Sequence, residues 1–314
     1  MTAESLVAVV GAGSIGKAWA LVFAQAGHDV SLWDPDPAIL SGAPDLIRAQ
    51  LDDLAVHGLL SEAPDTVLQR IGLADSLEAA VGDAVHVQEN GPEDLPLRRT
   101  LFAALDRHAP AAATLASSTS GMPPSSFTEG LAGRARCLVA HAGNPPYLLP
   151  LVELCPAPWT SAAALDSVRA LMQGAGRQVA AMHKEAEGFI LNRLQGALLA
   201  EAFRLVADGI ADPAAIDIVM KGSLGLRWSF MGPFETVDLN APGGLADFCR
   251  RYGGLYERLQ AQMPPLAWDA DLVGRVAAER RSELPLDGIA ARQAWRDRRL
   301  MALAQHLAGQ PPPG

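Results

Sequence analysis

The chain has 314 residues, of which 49% are hydrophobic, and a formal charge of −10. The length suits two domains better than one, and the apolar content suffices for ordinary cores. The acidic balance argues against nucleic acid and anionic membranes as partners, and no apolar run reaches the ~20 residues of a membrane span.

Leu6 to Val10 is a short apolar run rich in valine and predicts a buried parallel strand. The turn Gly11-Ala12-Gly13-Ser14-Ile15-Gly16 follows at once, then a helical pattern over 17–25 closed by Gly27. Residues 29–33 predict a second strand, ending in Asp34. In this order each glycine has a task. Gly11 permits the tight turn, Gly13 lets backbone approach a pyrophosphate, and Gly16 lets helix and strand pack closely. The first N–H groups of the helix, at Ser14 and Ile15, face the phosphates with the positive end of the helix dipole. Asp34 stands eighteen residues beyond Gly16, where a carboxylate accepts hydrogen bonds from an adenosine ribose. It would repel the extra phosphate of NADP, so NAD is the expected cofactor. FAD, bound through the same fingerprint, is the lesser rival. The chain enters its first strand with no basic region and no cleavage site, so a cytoplasmic location is expected.

Residues 44–80 read as one or two amphipathic helices broken near 58–64. A strand is predicted at 84–88, a helix at 97–107, and a strand at 114–117 running into the hydroxyls Ser117-Ser118-Thr119-Ser120. Residues 137–141 predict a strand ending in His141. Ligands of open parallel sheets sit beyond the carboxyl ends of the strands, so Asp34, the 89–93 loop, Ser120 and His141 are expected to face one crevice. The segment 141–147 is rich in turn residues, and 151–154 predicts another strand. A reversal at Pro145-Pro146 would bring Glu153 beside His141. A carboxylate on one imidazole nitrogen fixes the tautomer and leaves the other nitrogen to move a substrate proton. A histidine at a strand end can also be purely structural; its place in the crevice, with a carboxylate partner, favours catalysis.

A helix over 161–172 and a strand over 177–182 complete this part. From Gly188 the pattern is mostly helical. Residues 189–206, apolar on more than one face, read as a buried helix at the centre of a second domain. Asp212 as N-cap and Pro213 at the first position open a helix over 213–220. A loop is expected at 222–233, helices at 242–258 and within 264–299, and a disordered tail at 310–314. Cys137, Cys155 and Cys249 are odd in number and form no CxxC, so neither disulfides nor a metal site is expected.

The GAGSIG turn, Pro92-Glu93-Asp94, SSTS, HAGNPPY, PLVEL, EGFILNR and LGLRWSFMGPFET, in this order and spacing, resemble the 3-hydroxyacyl-CoA dehydrogenase superfamily. The likeness runs from about Leu6 to Tyr252 and is strongest to the branch of λ-crystallin and L-gulonate 3-dehydrogenase. It implies a Rossmann-type NAD-binding domain (1–186) followed by an all-helical domain (187–309) like the C-terminal domain of 6-phosphogluconate dehydrogenase, and a homodimer formed through the helices. It further implies His141 as general base, Glu153 as its partner, and Ser120 and Asn192 as hydrogen-bond donors to the reacting oxygen and substrate. Asn144 and Glu93 would line the cofactor region, and Arg98 would replace a family lysine near the nucleotide. Where the family often has proline or an aromatic residue after the histidine, this chain has Ala142-Gly143.

The superfamily places CoA contacts within residues 45–83. Here that segment carries Arg48 and Arg70 against eight acids, which argues against a CoA thioester. Arg227 is the candidate clamp for a free carboxylate, since a guanidinium fork suits that anion. The expected activity is NAD-dependent oxidation of a small 3-hydroxy acid, L-gulonate or a related sugar acid. A 3-hydroxyacyl-CoA or carnitine dehydrogenase is the alternative, and a non-catalytic, crystallin-like NAD binder is the alternative from another class.

Overall fold

Eight strands form one sheet: β1 Leu6–Val10, β2 Asp29–Trp33, β3 Ile71–Leu73, β4 His86–Glu89, β5 Thr114–Ser117, β6 Cys137–Ala142, β7 Leu151–Pro156 and β8 Gln178–Ala181. The computed structural model describes residues 5–310. The strand order is 3-2-1-4-5-6-7-8, parallel throughout except where β7 reverses against β6. Alternate residues of each strand serve opposite faces. Val7 and Val9 pack with Trp19, Phe23, Leu32 and Ile47 on one face, while Ala8 and Val10 pack with Phe102, Leu105 and Phe127 on the other. Both faces are covered, as parallel sheets require. The helices that join these strands are α1 Ser14–Gln25, α2 Pro37–Ser41, α3 Ala43–Val56, α4 Pro64–Leu68, α5 Leu77–Val81, α6 Leu95–His108, α7 Ser125–Thr128 and α8 Ala162–Gly174.

Two local differences from the sequence reading have simple causes. Helix α1 starts at Ser14 rather than 17, because Gly13 is already its extended cap residue and the turn is that short. The segment 44–80 contains β3 between its helices. Three residues are too few to show a strand period, and β3 is specified by its pairing, Val30 opposite Ile71 and Leu32 opposite Leu73.

The described residues divide into two units. One runs to Arg193 and resumes at Arg296; the other is Leu194–Trp295. The chain's end belongs to the first unit because Met301 is buried in the core with Trp19, Leu51 and Leu54, with Leu300 packed against it.

The remaining helices are α9 Leu191–Ala207, α10 Pro213–Val219, α11 Gly225–Trp228, α12 Pro233–Asp238, α13 Gly244–Ala261, α14 Ala270–Glu283 and α15 Ile289–Ala308. Asp212 caps α10 as expected, accepting from the Ala215 N–H at 2.7 Å, with Pro213 behind it. Two expectations fail. The region 222–233 is not a loop: a π-helical turn, Met220–Leu224, passes directly into α11, and α12 begins at Pro233. Its glycines sit within or beside helical turns instead of ending them. Nor is α9 a buried helix. Arg204 is its one buried residue, and Leu194 is 62% exposed. Its apolar faces exceed what the other helices of this chain cover. Residues 311–314 of the expected disordered tail lie outside the described residues; Gln310 is in a bend after α15.

Candidate active site

The nucleotide side of the site is made by the turn after β1. The Gly11 N–H donates to Trp33 O at 2.7 Å, which ties the turn to the end of β2. Gly11 has φ of 95°, and a Cβ there would stand 2.9 Å from Asn90 O. A Cβ on Gly16 would fall 1.7 Å from Gly11 O, so turn and helix meet only because that residue is glycine. A Cβ on Gly13 would meet nothing within 4 Å, so the backbone there is open to a pyrophosphate. No side chain caps α1, so the N–H groups of its first turn, including Ser14 and Ile15, are available to an anion. Asp34 lies beside the turn: Oδ2 accepts from Ala12 N–H at 2.7 Å and Oδ1 from Asp36 N–H at 2.9 Å. These features fit a dinucleotide whose ribose meets Asp34.

Beyond β4 and β5 an ionic cage holds the next group. Glu93 accepts from the Ser120 N–H at 2.5 Å, the Thr119 hydroxyl at 2.7 Å and Arg98 at 3.1 Å. Burial pushes the Glu93 carboxyl up, but these donors together outweigh it and hold it below its ordinary value. Arg98 also donates to Glu89 at 3.2 Å and to the carbonyls of Gly91 and Pro92 at 3.3 and 2.9 Å. These bonds make Arg98 a brace of the loop. Its side chain is 1% exposed and lies beneath the 89–93 loop, which it ties to α6. Its longer fork reaches Glu89, Gly91, Pro92 and Glu93 of the loop and Met122 beyond it, where a single ammonium could not.

The reacting end is built by the antiparallel pair β6 and β7. Their register sets His141 opposite Glu153, as the expected reversal requires. His141 Nδ1 donates to Glu153 Oε2 at 2.9 Å, and both side chains are buried. Glu153 Oε1 accepts from the Ile190 and Leu191 N–H groups, each at 2.8 Å, at the start of α9. With Nδ1 so engaged, Nε2 is the nitrogen that can exchange a proton with a ligand. Asn192 donates from its amide to Ser120 O. The Ser120 side chain is exposed, as is Asn144, three residues after His141 in the turn that closes through a cis Asn144–Pro145 peptide. Hydrogen bonds thus link Glu93, Ser120 and Asn192 in one set and His141 with Glu153 in another, and the two sets meet through the backbone from Ile190 to Asn192, within the first unit. Arg227 lies on α11 of the second unit and its side chain makes no hydrogen bond or ion pair among the described residues.

Sequence reasoning missed a neutral network below the site. His86 takes a bond from the Thr114 hydroxyl at 2.7 Å and donates to Gln88 Oε1 at 3.1 Å. Gln88 donates to the Ser118 hydroxyl at 2.7 Å, which also receives Trp19 Nε1 and donates to Asn90. Asn90 in turn donates to Val10 O beside the glycine turn. The only sequence signal was the presence of polar residues at alternate positions of an otherwise buried strand. Burial drives His86 down to about 4, so it stays neutral. Burial likewise pushes the Cys137 thiol up to about 12 and that of Cys155 to about 11, which leaves both inert. Among the described residues no cluster of three His, Cys, Asp or Glu side chains is placed to hold a metal ion, and no helix is long and apolar enough to cross a membrane.

Comparison with known proteins shows the family and the fold. The NAD-binding domain of 3-hydroxyacyl-CoA dehydrogenase matches residues 6–186 and the C-terminal domain of the same family matches 188–282. The λ-crystallin homologue of Bos taurus is 43% identical over 95% of this chain and 94% of its own. The L-carnitine dehydrogenase of Streptomyces griseus is 41% identical over 88% of this chain and 84% of its own. Among solved structures, 5-formyl-3-hydroxy-2-methylpyridine 4-carboxylic acid 5-dehydrogenase shares the fold with a TM-score of 0.84 and 24% identity, over 98% of this chain and 99% of that one.

Proposed function

The chain belongs to the 3-hydroxyacyl-CoA dehydrogenase family, and from that premise we propose that it oxidises the 3-hydroxyl of a small free hydroxy acid, L-gulonate-like, to the 3-oxo acid. NAD, held along the turn from Gly11 to Gly16 and by Asp34, supplies the hydride acceptor. His141 takes the hydroxyl proton on Nε2. Glu153 keeps the proton on Nδ1 and offsets the charge that forms on the imidazolium. The Ser120 hydroxyl and the Asn192 amide hydrogen-bond the reacting oxygen and the substrate, while Glu93 and Asn144 border the cofactor. Arg227 clamps the free carboxylate. The observation that carries the reaction type is the buried His141–Glu153 pair, bonded at 2.9 Å.

The choice of a free acid over a thioester rests on the 45–83 segment. Both of its arginines are already engaged. Arg48 pairs with Asp52 at 2.9 Å and with Asp65, and Arg70 pairs with Glu62 through two bonds of 2.6 and 2.8 Å. A CoA phosphate would have to displace a carboxylate to reach either. L-Carnitine is the second reading. It is favoured by the 41% identity to the Streptomyces griseus enzyme, and an acid-rich surface suits the quaternary ammonium of that zwitterion. A homodimer formed through the second unit and a cytoplasmic location complete the proposal.

NADH formation measured side by side with L-gulonate, L-carnitine and 3-hydroxybutyryl-CoA tests it. A clear preference for L-gulonate is expected, with Arg227→Ala raising the apparent KM for the acid. A preference for the thioester overturns the charge argument. Binding of NAD without turnover of any hydroxy acid in a wider panel overturns the enzymatic reading itself.

A further inference from the structure

The corner before α9 holds Phe189, the one non-glycine residue with a left-handed backbone among those described, at φ of 51° directly after Gly188 at 74°. For a bulky side chain this conformation is an outlier, kept where surrounding contacts over-determine it. They do so here. The Gly188 N–H donates to Gly121 O at 3.1 Å and the Phe189 N–H to Ala186 O at 3.2 Å. The next two N–H groups, of Ile190 and Leu191, converge on Glu153 Oε1 at 2.8 Å each. The same corner therefore fixes one oxygen of the carboxylate whose other oxygen holds His141. It is also tied to the loop of Ser120, through Gly121 O and through the Asn192 amide.

The side chain of Phe189 points into the same cluster. It is fully buried, and its ring centroid lies 5.4 Å from that of the His141 imidazole at a tilt of 47°. That separation is within the range of favourable aromatic contacts. We infer that Phe189 is a positioning residue for His141. Its ring walls one side of the imidazole and its strained backbone aims two N–H groups at Glu153, so that Nδ1–H stays on the carboxylate and Nε2 stays turned to the substrate. The ring also keeps water from competing for the His141–Glu153 bond, which an aliphatic side chain of different shape does less well. The inference rests on the reading of His141 as the base.

The test uses the full-length protein labelled with ¹⁵N-histidine. The downfield Nδ1–H resonance of His141 is assigned by its absence in His141→Asn, then followed in Phe189→Leu and, should that variant not fold, in Phe189→Met. NAD binding counts the folded fraction. The expected result is a sharp resonance in the parent protein that is lost or exchange-broadened in the Phe189 variant, although NAD binds as before. With the preferred substrate, kcat falls about tenfold, KM for NAD is unchanged, and the primary deuterium isotope effect on kcat rises because the chemical step has slowed. A variant that keeps both the resonance and the parent isotope effect overturns the inference, since a role confined to core packing would lower only the folded fraction. Absence of the resonance in the parent protein also overturns it. If the resonance responds as expected but His141→Asn retains turnover, the positioning stands and the reading of His141 as base is what fails.

Discussion

The two units of this chain are built to different standards of closure. In the first, both faces of the sheet are sealed, and Trp19, Phe23, Phe102 and Leu115 are wholly removed from solvent. In the second, Leu272 is the one buried apolar side chain among the described residues, while Leu194, Ile218, Leu226, Phe230 and Phe234 each stand more than half exposed. Exposed apolar side chains in that number leave little apolar surface buried within this unit. The first unit is stabilised by its own burial, and a second copy of the chain is the proposed cover for the other. The hydrogen-bonded groups of the candidate site, from Glu93 to Asn192, all belong to the sealed unit.

The comparison is broken most severely at Arg98. Replacement by Met leaves Glu89 buried without its cation, and losing one member of a buried pair costs about 3–5 kcal/mol. Denaturant unfolding should show that loss, and the loss should not vary with protein concentration. A stability within about 1 kcal/mol of the parent would mean the cage contributes little.

Acid should find the next weakness, at His86. The unfolded side chain takes a proton below its ordinary 6.5, but the folded one does so only near 4. The folded state therefore binds fewer protons across that window. Stability from this group is intact above pH 6.5 and is lost as pH falls towards 4, by about 3 kcal/mol in all. His86→Gln should flatten the slope of unfolding free energy between pH 7 and 4; an unchanged slope would assign it to other groups.

The smallest effect on monomer stability should come from the open unit. Leu198→Glu on α9 places a charge on an exposed side chain and should alter unfolding of the monomer by no more than about 0.5 kcal/mol. It should nonetheless shift the sedimentation coefficient from dimer to monomer and abolish the concentration dependence of Tm. A parent protein that sediments as a monomer at all concentrations would contradict the dimer.

How much of this was legible in the sequence follows the same boundary. Strand β1 declares itself as a short apolar run, and the glycine turn constrains its surroundings so tightly that Gly11, Gly16 and Asp34 stand where the motif places them. The approach of His141 to Glu153 was readable because a proline turn between two strands fixes their register. Other features were not. Strand β3 owes its existence to its neighbour, not to its own three residues. Arg98 has the charge of a ligand-binding residue, and only its burial reveals it as a brace. The exposure of α9 was hidden because an apolar helix reads alike whether its own chain or another covers it.

The most direct test of the account is turnover in His141→Ala beside NAD binding by the same variant. Loss of the general base should lower kcat by a factor of about 10²–10⁴ while the Kd for NAD, read by nucleotide fluorescence, stays at the parent value. Comparable turnover in the two proteins would remove His141 from the mechanism and with it the proposed role of Glu153.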